Sequence, residues 1–75
     1  MSKQEYPLAI NLKRLREKKK LSQDRLAKLA DVANNTIIKI EQGENTNPTL
    51  ATLKKIAKAL DVSLDDLTGY QLRSK

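Results

Sequence analysis

The sequence predicts an all-α domain of five short helices, and three observations predict it. Leu, Ile, Val and Ala recur at helical spacing in successive windows, residues suited to helix ends fall between those windows, and Phe and Trp are absent. A core made only of aliphatic side chains suits helices packed side by side. At 75 residues the chain is one domain with a thin core, because so small a body buries only a modest fraction of its unfolded surface. No internal repeat, low-complexity segment or interdomain linker divides it. One five-helix body is expected over residues 7–69, between a loose arm at 1–6 and a short polar tail at 70–75.

Pro7 suits the first helical position, where its missing amide proton would have been unpaired anyway. The first helix then runs from about Leu8 to Lys20, with Leu8, Leu12 and Leu15 as its buried stripe and Arg16 on the flank. Lys18, Lys19 and Lys20 lie near its C-terminus, where the helix dipole favours cations; phosphate contact is the alternative use. Ile10 points away from the stripe for no evident reason.

Ser22 is placed to cap the second helix, which ends near Ala30 and gathers Leu26, Ala27, Leu29 and Ala30 at helical spacing. Gln23 falls in its first turn, where a long amide can meet a phosphate at the positive end of the dipole or remain an ordinary solvated glutamine. Asp31 occupies the turn, and aspartate tolerates left-handed backbone better than most residues. Val32 is expected to plug the angle to the third helix, which spans about Ala33 to Gln42. Two helices joined so tightly cross steeply, at roughly 90 to 120°, in a helix-turn-helix.

Setting residues about 100° apart divides the third helix into two sides. Ala33, Thr36, Ile37 and Ile40 fall toward the core, and Asn34, Asn35, Ile38, Lys39 and Gln42 fall outward. The outward face is uncharged apart from one lysine, and its amides donate and accept together. Asparagine suits bidentate pairing with adenine in the major groove, lysine donates to guanine or phosphate, and an exposed aliphatic group meets a thymine methyl. The plain alternative is that the asparagines simply start a helix and Ile38 is one stray apolar residue.

Gly43 ends the third helix, and the polar turn from Glu44 to Pro48 leads to Thr49, a cap for the fourth. Leu50, Leu53, Ile56, Ala57 and Leu60 give that helix its apolar face, with Lys54, Lys55 and Lys58 outside it. Ser63 and Asp66 resemble a capping box that opens a fifth helix, in which Leu64 and Leu67 pack inward and which Gly69 closes.

Fifteen Lys and Arg against nine Asp and Glu give a net charge of +6, which favours polyanionic partners or merely solubility. Only Tyr6 and Tyr70 are aromatic, so there is no stacking platform for single-stranded nucleic acid. Cysteine and histidine are absent, which removes disulfides, the usual metal ligands and the usual general base. No catalytic constellation, metal site or cofactor is expected. With no long apolar run and no signal pattern at the N-terminus, a cytoplasmic location away from membranes is the expectation.

The series Leu12-Lys13-Arg14-Leu15-Arg16-Glu17, Leu21-Ser22-Gln23-Asp24, Leu26-Ala27, Thr36-Ile37, Lys39-Ile40-Glu41, Gly43, Asn47-Pro48-Thr49-Leu50, Thr52-Leu53, Ile56-Ala57, Ala59-Leu60 and Val62-Ser63-Leu64-Asp65 resembles the Cro and phage-repressor-like, or XRE-like, helix-turn-helix family. The resemblance covers about Leu8 to Leu67, with its motifs in the family's order. It implies a compact five-helix, lambda-repressor-like domain whose third helix enters the major groove of double-stranded DNA, usually as a two-fold homodimer. By position, Asn34, Asn35 and Lys39 match base-reading sites, and Ile38 shares their face. Ser22, Gln23, Thr36, Asn45 and Thr46 are the candidates for phosphate contact or positioning. Arg16 and Glu41 match a partly buried ion pair that ties the first helix to the third.

Three departures stand out. Ala33 replaces a Ser or Thr cap, the loop after Gly43 lacks the usual lysine or arginine, and Ile38 replaces a polar residue. The leading expectation is a transcriptional regulator, repressor or otherwise, acting as a dimer whose interface is sought around Val62 to Leu67 and the tail. The alternative is an antitoxin-type module that neutralises a protein partner and regulates its own synthesis through DNA binding.

Overall fold

A computed structural model describes residues 7–69, so the expected arm at 1–6 and tail at 70–75 lie outside the described residues. Five helices follow one another: α1 (Pro7–Lys18), α2 (Gln23–Ala30), α3 (Asn34–Glu41), α4 (Leu50–Leu60) and α5 (Leu64–Thr68). There is no strand among the described residues.

Three helix starts are set by side-chain caps. The Ser22 hydroxyl accepts the Arg25 N–H at 3.0 Å, the Thr49 hydroxyl accepts the Thr52 N–H at 3.1 Å, and the Ser63 hydroxyl accepts the Asp66 N–H at 3.0 Å. The Asp66 carboxylate returns to the Ser63 N–H at 3.4 Å, which completes a capping box. At α3, Ala33 holds the extended capping conformation, with φ −68° and ψ 144°, but has no side-chain acceptor to offer.

The helix ends share one device. Lys20, Asp31 and Asp61 all sit at φ 60°, and Gly43 at φ 81°, each a left-handed residue just past a helix. The next residue then donates back to a carbonyl of the last turn: Leu21 to Arg16 at 3.1 Å, Val32 to Ala27 at 3.0 Å, Glu44 to Lys39 at 2.9 Å and Val62 to Ala57 at 3.0 Å. Leu21, Val32 and Val62 are thereby folded back onto the core. This closure stops α1 at Lys18, two residues before the expected end, because Lys20 must leave the right-handed helix. It also excludes Gln42 from α3, where it is the cap.

Each helix contributes at least one fully buried aliphatic side chain: Leu12, Leu26, Ile37 and Ile40, Ile56 and Leu60, and Leu67. α2 packs on α3 and α4, α1 on α3 and α5, and α4 on α5, so these residues form a single cluster. α5 docks where Gly69 turns at φ +73°; a Cβ there would lie 2.7 Å from Asn11 Nδ2 and 3.0 Å from Pro7 Cβ.

Three expected inward residues face out. Leu29 is 58% exposed because α3 and α4 cover the side of α2 that carries Leu26, Ala27 and Ala30, and Leu29 lies off that side. Leu50 is 61% exposed as the first residue of α4, ahead of the turns that pack. Ala33 is exposed because it precedes the first helical turn, where helical angles do not apply.

Candidate nucleic-acid interface

Only Asp31, Val32 and Ala33 separate α2 from α3. Left-handed Asp31 ends the first helix abruptly, half-buried Val32 fills the corner, and extended Ala33 launches the second. The core side of α3 is fixed by Ile37 and Ile40, exposed by 0% and 1%. That fixes the opposite side: Asn34, Asn35, Lys39 and Gln42 are exposed, and Ile38 among them is partly covered. Among the described residues, the side chains of Asn34, Asn35 and Lys39 make no hydrogen bond within the protein, so their donors and acceptors point outward unspent. Thr36 is half-buried on the flank.

A charged clamp sets the height and rotation of this helix. Arg16 Nε donates to Glu41 Oε2 at 2.7 Å, and Arg16 Nη2 donates to Glu41 Oε1 at 3.0 Å. Arg16 Nη1 donates to the Leu21 carbonyl at 2.8 Å, and Gln23 Nε2 donates to Glu41 Oε1 at 2.9 Å. The Arg16 and Glu41 side chains are only 11% and 5% exposed. The hydrogen bonds that Arg16 donates to Glu41 hold the guanidinium above arginine's ordinary pKa against the opposing effect of burial. One carboxylate at the end of α3 therefore joins α1 and the first turn of α2, and Arg16 extends the link to the loop after α1.

Gln23 is half-buried in the same network, with one amide proton committed to Glu41 and its carbonyl left free. The Gln23–Glu41 bond has a sequence signal that spacing alone does not expose: a long amide one residue past a cap, in a chain whose buried ion pair ends the neighbouring helix.

Ser22 spends its hydroxyl on the α2 cap and is exposed. Asn45 is half-buried; its side-chain oxygen accepts the Asn47 N–H at 3.1 Å and its own N–H reaches the Lys39 carbonyl at 3.1 Å. Thr46 is exposed beside it. The loop is thus bonded to the last turn of α3 and spans a cavity of about 320 Å³ against Leu8, Ile40 and Leu53, with no charged residue in its lining. Asn34, Asn35, Ile38 and Lys39 share one face; Ser22 and Gln23 start α2; Asn45 and Thr46 follow α3.

Two short helices, a three-residue corner and a second helix presented by the remaining three define a helix-turn-helix domain. A helix-turn-helix family profile matches residues 12–67, and the chain belongs to that family. An uncharacterised helix-turn-helix-type transcriptional regulator of Bacillus subtilis, RghRB, is 38% identical over 61 residues, which cover 81% of this chain and 44% of that protein. The chain spans less than half the length of the curated relatives it matches.

Among solved structures, the N-terminal DNA-binding domain of SinR from Bacillus subtilis superposes with a TM-score of 0.82 at 30% identity, covering 92% of this chain and all of that one. The restriction-modification controller protein C.AhdI from Aeromonas hydrophila gives 0.77 at 32% identity, covering 83% and 92% of the two chains.

Proposed function

We propose that this chain is a non-catalytic, sequence-specific regulator of transcription that lays α3 in the major groove of double-stranded DNA. The observation that carries the reading is the outward face of α3, where Asn34, Asn35 and Lys39 offer unspent hydrogen-bonding groups on a helix clamped from behind by Arg16 and Glu41. Asn34 and Asn35 read adenine edges and Lys39 meets guanine or phosphate. Ser22, the free part of Gln23, Thr36, Asn45 and Thr46 hold or position the flanking phosphates. A net charge of +6 supports approach to a polyanion.

The chain acts in the cytoplasm as a homodimer on a palindromic operator, with half-sites one turn, about 34 Å, apart. Val62 and Leu64, aliphatic and only partly buried on the core, offer the self-association surface; Leu67 is wholly consumed inside. Selection of bound sites from a random duplex pool tests the reading. Enrichment of a two-fold sequence is the expected result. Recovery of unenriched sequence, together with a monomer in sedimentation at tens of micromolar, would refute it.

A further inference from the structure

α3 carries one aliphatic side chain that the fold takes up only in part. Ile37 and Ile40 are fully buried, whereas Ile38 is only partly covered and stands outside both the core cluster and the half-buried residues packed against it. It lies one turn beyond Asn34, three residues beyond Asn35 and next to Lys39, so all four occupy one face. An apolar group in the middle of a polar face loses contact with water only when something covers it.

The face also lacks a guanine reader of the strong kind. No arginine occurs in α3, and Lys39 is its only cation, a point charge without the planar fork that fits both acceptors of guanine. What remains is amide chemistry for adenine and an aliphatic surface. The single apolar feature on a major-groove edge is the thymine 5-methyl group.

We propose that Ile38 is a specificity-determining residue that packs on a thymine methyl, so that the preferred half-site is A·T-rich beneath α3. This rests on the reading of α3 as the base-reading helix. Covering a methyl with a branched aliphatic chain removes apolar surface of both partners from water, and cytosine carries only a hydrogen where thymine has its methyl. Discrimination at this position therefore depends on a methyl group and not on a hydrogen bond.

The test uses deoxyuridine, which keeps thymine's pairing and lacks only the methyl. Once a bound site has been selected from a random duplex pool, each thymine is replaced singly by deoxyuridine and binding is measured for the parent and for Ile38→Ala. Because Ile38 lies outside the core, the variant should keep its helical circular dichroism and melting temperature; Ile38→Val, a smaller truncation, gives a second series.

One thymine per half-site should be sensitive, with about three- to tenfold weaker binding by the parent, less with Ile38→Val and under twofold with Ile38→Ala. Sensitivity that persists in Ile38→Ala, or a selected site with no sensitive thymine, would overturn the role of Ile38 while leaving sequence-specific binding intact. Failure to enrich any site would overturn the base-reading helix itself, and this inference with it.

Discussion

Gln23 donates its side-chain N–H to the same Glu41 oxygen that Arg16 Nη2 holds, at 2.9 and 3.0 Å. The start of α2 and the end of α3 are thus fixed to one another through a single buried carboxylate. That bond places a candidate phosphate-contacting residue and the helix meant to read bases in one rigid frame.

Glu41→Gln leaves the Arg16 guanidinium buried without a counter-charge, and should cost roughly 3 to 5 kcal/mol in urea unfolding. Gln23→Ala removes one hydrogen bond to a charged group and should cost about 1.5 to 3 kcal/mol. Replacing Arg16 with Met and Glu41 with Leu together should recover most of the first loss. A Glu41→Gln protein as stable as the parent would show that the clamp does not hold α3.

Lys20 is a side-chain-bearing residue at φ 60°, and the left-handed region costs an L residue roughly 1 to 2 kcal/mol. Lys20→Gly should therefore raise stability by about 0.5 to 1 kcal/mol after glycine's extra unfolded-state entropy is counted, with the melting temperature up by about 2 to 8 °C. Asp31→Gly should gain less, because aspartate accepts this conformation more readily. A fall in melting temperature for Lys20→Gly would contradict the strain.

Ala33 already holds the backbone of a capping residue, and α3 lacks only the acceptor. Ala33→Ser should add about 0.5 to 1 kcal/mol to the unfolding free energy and slow amide exchange in the first turn of α3. Unchanged exchange at Asn35 and Thr36 would mean that the serine does not cap.

The loop from Glu44 to Pro48 carries no cation, and Thr46 is one of its exposed residues, with Glu44 and Asn47. Thr46→Lys should steepen the dependence of log K on log salt by about 0.9, the share of one neutralised phosphate. An unchanged slope would place the loop away from the backbone of the bound DNA.

Much of this architecture is legible in the sequence because its punctuation is chemical. Ser22, Thr49 and Ser63 announce helix starts through hydroxyls, and each makes the bond its position implies. Left-handed Asp31 could be anticipated from its place in the tight turn between α2 and α3. Lys20 could not, since nothing about a lysine suggests positive φ, and Asp61 lies in a stretch that no turn residue marks; the tertiary demand to fold Leu21 and Val62 onto the core imposes it. Leu29 and Leu50 show the limit of spacing on short helices. α2 has eight residues, and which side of them is covered depends on neighbours that periodicity does not reveal. The outward face of α3 follows from angle alone, whereas the Gln23–Glu41 bond needed the folded geometry.

If α3 reads bases through Asn35 and its neighbours, that role shows in the ratio of specific to random binding. Binding of the parent and of Asn35→Ala to a selected site and to random duplex is measured by fluorescence anisotropy at one salt concentration. The variant should lose roughly 1 to 3 kcal/mol on the selected site and little on random DNA, so that its preference collapses. Equal weakening on both duplexes, or an unchanged ratio, would contradict it.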